Sequence, residues 1–166
     1  NLNESNVCIT MSGTNALLDV FLAIVDSGDN VLIPEPYFPL YPPDVVICGG
    51  EPNLYPCNFD NGFVPKIADL EKLVNDKTVA ILYNFPSNPT GATLSIDERD
   101  KLVDFAIRHD LWIISDEVYD RIIYNGPHVS FLGAGHDKLF LINSFSKTFA
   151  MTGWRIGFSY SDPELA

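Results

Sequence analysis

The stretch "SFSKTFAMTGWRIG", residues 144–157, sets Lys147 among small hydroxyl residues, with Arg155 eight positions further on. The chain has a formal net charge of −12 and only 10 Lys and Arg residues, so this pairing uses two of its few cations. An amine kept from water beside another cation gives up its proton more readily, and a neutral amine attacks carbonyl carbons. Ser144 and Arg155 together suit a phosphate, the arginine through two parallel hydrogen bonds. A lone lysine is most often a solvated side chain, so its company must decide between the two readings.

That company is spread along the chain. Asp116 follows the apolar run "LWIIS", and a carboxylate at the end of such a run needs a cation or several donors to offset its desolvation. It could equally open a surface turn. Tyr119 lies three positions on, near enough to share one cavity with it. Ser12, Gly13 and Thr14 open a helical pattern, "SGTNALLDVFLAI", whose free N–H groups and dipole attract anions. An ordinary Ser/Thr N-cap has the same sequence. Asn88, in "NFPSNPTGAT", is a turn residue before proline or an amide that reaches a ligand. Phe38, in "PEPYFPLY", fills core or stacks on a flat ring. Each match alone is weak. Jointly they offer a phosphate cradle, an aromatic plate, a carboxylate, a phenol, an amide and an amine. Pyridoxal 5′-phosphate asks for this set: it has a phosphate, a ring with a protonatable nitrogen, a ring hydroxyl and an aldehyde.

The elements that must position these groups follow a regular rhythm. Apolar runs at 6–10, 30–34, 52–56, 78–83, 111–115, 139–144 and 155–160 read as strands, mostly covered on both faces. Helical patterns fall near 13–26, 38–48, 67–75 and 95–109. The third has apolar spacing at Ile67, Leu70, Leu73 and Val74. The fourth opens with a capping box, Ser95 and Glu98, and presents Ile96, Leu102, Phe105 and Ala106 as its buried face. Alternating strands and helices predict parallel strands joined by crossovers in one doubly wound α/β sheet. Ligands in such a sheet lie beyond the carboxyl ends of the strands, where the candidate residues fall.

Composition narrows the class. The 166 residues suffice for one well-buried domain and are short for two. The acidic balance leaves no basic stripe for nucleic acid, and no apolar run reaches membrane-spanning length. Cys8, Cys48 and Cys57 follow no metal-ligand spacing, so no metal is expected; buried thiols in a reducing compartment, the cytoplasm, suit them best. Neither a G-x-G-x-x-G nor a Walker lysine is present, against a dinucleotide or nucleoside triphosphate site. The start "NLNESNVCIT" lacks an initiator Met and lies close to a strand, and the chain reads as a piece of something longer.

On these motifs the chain resembles the class I/II aminotransferases, among the fold-type-I pyridoxal-phosphate enzymes. "SFSKTFAMTGWRIG" looks like their lysine attachment signature, "NFPSNPTG" and "SDEVY" like their ring-binding motifs, and "SGTNAL" like their phosphate loop. The likeness runs from about residue 6 to residue 160. It implies a three-layer α/β/α unit with a mostly parallel seven-stranded sheet, the last strand (about 154–160) being antiparallel. Residues 1–166 would form the large cofactor-binding domain, without the N-terminal arm and small C-terminal domain of longer members. By resemblance, Lys147 forms the Schiff base and shuttles the substrate's Cα proton, and Asp116 pairs with the ring nitrogen. Asn88 and Tyr119 would bind the ring hydroxyl, Phe38 would stack on the ring, and Ser12, Gly13, Thr14, Ser144 and Arg155 would hold the phosphate. Amino acids and 2-oxo acids would be the substrates, and the full-length protein a homodimer that completes each site from its partner. A core lacking those parts is expected to bind the cofactor weakly and turn over poorly. A carbon–sulfur β-lyase on the same scaffold shares every motif, and a non-catalytic aminotransferase-like module stands as a further alternative.

Overall fold

The computed structural model describes residues 3–166. One seven-stranded sheet organises the chain, in the order β1-β7-β6-β5-β4-β2-β3. The strands are β1 (Val7–Thr10), β2 (Asn30–Glu35), β3 (Glu51–Pro56), β4 (Thr78–Asn84), β5 (Trp112–Asp116), β6 (Leu139–Ser144) and β7 (Gly157–Tyr160). The neighbours from β6 across to β3 pair in parallel, while β7 lies antiparallel between β1 and β6. This is the mostly parallel sheet expected, with its last strand reversed.

Helices cover both faces: α1 (Gly13–Ile24), α2 (Tyr41–Ile47), α3 (Ile67–Leu73), α4 (Ile96–Arg108) and the single turn α5 (Phe145–Thr148). Alternate residues of a strand point to opposite faces, so β4 feeds two cores. Ile81 and Tyr83 join Leu70, Leu102 and Phe105 beneath α3 and α4. Ala80 and Leu82 join Leu17, Phe21, Tyr41 and Val45 beneath α1 and α2. Buried on both sides, β4 shows the unbroken apolar run that parallel central strands require.

Local signals explain most boundaries. The capping box of α4 forms as its sequence predicts: Glu98 N–H donates to Ser95 Oγ at 3.3 Å, and Ser95 N–H donates to Glu98 Oε2 at 2.8 Å. The buried stripe of α4 is Leu102, Val103, Phe105 and Ala106; Ile96, expected there, is 59% exposed at the first position of the helix. The second helix starts at Tyr41 rather than 38, since Pro39 disfavours helical backbone at Phe38 while Pro42 and Pro43 fit a first turn. Strand β3 carries Pro52 and Pro56 and lies at an edge, where a missing N–H costs no ladder bond. The other edge departs from expectation. Its apolar run predicts cover on both faces of β1, yet Val7, Cys8 and Ile9 are exposed, Ile9 at 69%. The three cysteines are free, but only Cys57 is buried, and burial pushes its thiol up to about 12. Among the described residues no helix is long and apolar enough to cross a membrane.

Candidate active site

Parallel strands bring their carboxyl ends to one side of the sheet, and there β4, β5 and β6 meet the start of α1 around a cavity of about 160 Å³. All ten residues named from the sequence line it. Residues separated by more than a hundred positions thus share one pocket.

At one end the β1–α1 turn presents Ser12, Gly13 and Thr14 at the N-terminus of the twelve-residue helix α1. Ser12 holds φ 111°, a backbone region that side chains rarely adopt, and strain of this kind collects at ligand sites. Two bonds hold it: Thr10 Oγ1 donates to the Ser12 carbonyl at 2.9 Å, and Asn15 N–H donates to Ser12 Oγ at 3.4 Å. Arg155, which also lines the cavity, is exposed, sits in left-handed backbone (φ 52°) and donates from Nη1 to the Thr152 carbonyl at 3.0 Å. Ser144 lines the cavity, although its hydroxyl already accepts from Ser146 N–H and donates to the Ile156 carbonyl. Ser146 and Thr152 line the same end, and the sequence motifs singled out neither.

The floor is Asp116, 4% exposed. Tyr41 donates its hydroxyl to Oδ2 at 2.7 Å, and Val118 N–H donates to Oδ1 at 3.2 Å. No cation pairs with it among the described residues. Burial pushes the carboxyl up to about 6, against the pull of these two bonds, and the neighbouring Glu117 charge adds to the rise. Glu117 is itself buried and fully engaged: Ser115 and Ser130 hydroxyls, Phe131 N–H and His128 Nε2 all bond its carboxylate. It closes the 118–130 segment, with Tyr119, onto the end of β5.

A raised folded value means that the folded chain holds this proton more tightly than the unfolded one. The associated stability is full below the unfolded value of 3.8 and is lost as pH rises through about 6. The loss is on the order of 2–3 kcal/mol at about 1.4 kcal/mol per pH unit. Asp116→Asn should therefore raise the melting temperature of the cofactor-free protein by several degrees near pH 8, and by almost nothing near pH 4. Thermal melts at the two pH values check this; equal shifts at both would contradict it. A bound cation would reverse the sign, making the carboxylate an asset.

Across the cavity, Lys147 Nζ stands 5.6 Å from the centroid of the Tyr119 ring. Contrary to the shielded lysine expected, Lys147 is exposed, on the single turn α5 after β6. Phe38 is half-buried and packs edge-on against Tyr41, with ring centroids 5.5 Å apart. Asn88 is half-buried on the loop after β4. Its N–H donates to Asn84 Oδ1 at 2.7 Å. Tyr41 and Asn84 are site residues that the sequence motifs did not reveal. Asn84 carries a visible signal, a polar residue closing the run "TVAILYN" as Asp116 closes its own. Tyr41 carries only its spacing of three from Phe38.

These residues fit pyridoxal phosphate. The uncompensated buried carboxylate suits a protonated ring nitrogen, the amine lies across the pocket, and the hydroxyls, helix start and arginine suit an anion. Gly13 lets the turn lie close, since a Cβ there would come within 3.2 Å of Val118 Cγ1 and 3.4 Å of Ser144 Cβ.

Comparison with known proteins shows the family. A family model described as aminotransferase class I and II matches residues 1–166. Aspartate aminotransferase of Pyrococcus abyssi is 41% identical over 158 residues, covering 93% of this chain and 41% of that one. Aromatic-amino-acid aminotransferase 2 of Thermococcus litoralis is 39% identical over the same length and similar coverage. The solved structure of Thermus thermophilus aspartate aminotransferase with maleate superposes with a TM-score of 0.95 at 34% identity, over 99% of this chain and 43% of that one. The chain spans about two fifths of the length of these relatives. With its sheet, its cavity and its motifs in agreement, this chain belongs to the class I and II aminotransferase family.

Proposed function

We propose that residues 1–166 form the cofactor-binding core of a pyridoxal-phosphate-dependent aminotransferase that moves an amino group from an amino acid to a 2-oxo acid. The observation that carries this reading is Asp116, a buried carboxylate that pairs with no cation among the described residues, in a cavity lined by Lys147 and Arg155. When bound, pyridoxal phosphate supplies an electron-accepting ring and a reactive aldehyde. The chain supplies the rest. Asp116 holds the ring nitrogen's proton, Asn88 and Tyr119 orient the ring hydroxyl, and Phe38 covers one ring face. Ser12, Gly13, Thr14, Ser144 and Arg155 anchor the phosphate. Lys147 Nζ holds the aldehyde end and then carries the proton leaving the substrate's Cα.

The names of the relatives, aspartate and aromatic aminotransferases, favour transfer over elimination. In this reading the full-length protein is a cytoplasmic homodimer. Incubating it with an amino acid and 2-oxoglutarate should yield glutamate and the matching 2-oxo acid. Pyruvate and ammonia released without any acceptor would instead establish an eliminating enzyme.

A further inference from the structure

Asn84 has no recorded hydrogen bond to the strained turn or to Lys147, yet it bonds both the end of β5 and the loop after β4, which carry groups assigned to the ring. It ends β4 and faces Asp116, its register partner on β5. Its side-chain Nδ2 donates to the Asp116 backbone carbonyl at 3.0 Å, and its Oδ1 accepts from the Asn88 N–H at 2.7 Å. The residue is 4% exposed, so water offers little replacement for either bond. One buried amide therefore ties the end of β5 to the loop after β4, fixing the separation of Asn88 from Asp116.

We propose that Asn84 is a positioning residue: a brace that locks Asn88 and Asp116 into one spacing, so that the contacts to the ring hydroxyl and ring nitrogen form together. The inference rests on the cofactor reading above. Asn84 has no part in anchoring the phosphate, which is held at the other end of the cavity. Loss of the brace leaves an anion site of normal affinity and a ring site whose two contacts no longer match one rigid ring.

The test uses full-length apoprotein and two ligands, pyridoxal phosphate and inorganic phosphate, the second measured by competition with the first. Asn84→Ala removes both bonds. Asn84→Asp keeps the shape and the acceptor for Asn88 N–H but sets an oxygen against the Asp116 carbonyl, and so serves where the alanine variant does not fold. Each should weaken pyridoxal phosphate binding roughly 10–100-fold, the range typical of groups that orient ligating side chains. Phosphate affinity should stay within about twofold, since its own donors are intact. In an Asn88→Ala background the penalty of Asn84→Ala should shrink several-fold, because part of what it positions is gone. Equal losses for both ligands would mark general damage and overturn the proposal. Full additivity with Asn88→Ala, or unchanged binding, would overturn it as well. Failure of the unaltered protein to bind pyridoxal phosphate would bring down the cofactor reading and this inference with it, a result distinct from loss of the brace alone.

Discussion

Lys147→Ala in the full-length protein should cut amino-group transfer by roughly ten-thousand-fold or more while leaving non-covalent cofactor binding largely in place. Two functions leave with one amine. A positioned proton carrier contributes on the order of 10²–10⁴ in rate, and the nucleophile that holds the aldehyde end goes as well. The groups at the phosphate end remain, because the bonds that hold them do not involve the Lys147 side chain. Ser144 caps the short turn from Ser146 N–H, the Ser12–Thr14 turn is held by Thr10 and Asn15, and Arg155 leans on Thr152. The check is a pair of measurements. Borohydride should fix pyridoxal phosphate to the unaltered chain and not to the variant, while dialysis finds the ligand on both. Equal trapping by the two proteins would remove Lys147 from its assigned role.

Gly157→Ala should be the most damaging single methyl in the site. A Cβ at Gly157 would lie 2.3 Å from the Ser12 carbonyl carbon, 2.4 Å from Gly13 N and 2.8 Å from Ser12 Cα. These are backbone atoms, which cannot swing aside as a side-chain tip does. Gly157 also pairs with Thr10 on one side and Ser144 on the other, so the strand cannot slide away from the turn without breaking a ladder. Overpacking of this kind costs about 1–3 kcal/mol or more, which for a chain of this size lowers the melting temperature by roughly 3–10 °C. The displaced atoms belong to the anion turn, so phosphate affinity should fall in parallel. Gly153→Ala supplies the control, since a methyl added there would meet nothing within 4 Å and its φ is not in the left-handed range. Near-native melting and phosphate binding in Gly157→Ala would refute the close-packing account.

Much of this architecture is legible in the residues because the signals are local. A capping box at Ser95 and Glu98 needs only three residues of separation, and the buried central strands announce themselves as unbroken apolar runs. What stays hidden depends on partners far along the chain. The Tyr41 bond to Asp116 spans 75 positions, and no periodicity near residue 41 could reveal it. Edge placement is hidden for the same reason. "NVCIT" and "TVAILY" read alike as strands, but one lies at the rim with Ile9 in solvent and the other in the interior of the sheet. The site residues at strand ends are visible because a polar residue stands out after an apolar run. Lys147 shows the limit of that logic, since spacing indicates its company and says nothing of how open its pocket is.

The reversed strand β7 also sets an order of assembly during synthesis. Within the sheet β1 touches β7 alone, and Asn6 bonds Ser161 across 155 positions of sequence. Until residues 157–160 leave the ribosome, the strand that leads into the Ser12 turn has no ladder to join, whereas β2, β3 and β4 can already pair with one another. Such long-range closure is slow compared with local contacts. The turn that carries Ser12 is therefore expected to gain its ladder only after β7 joins the sheet, later than the hydrophobic middle.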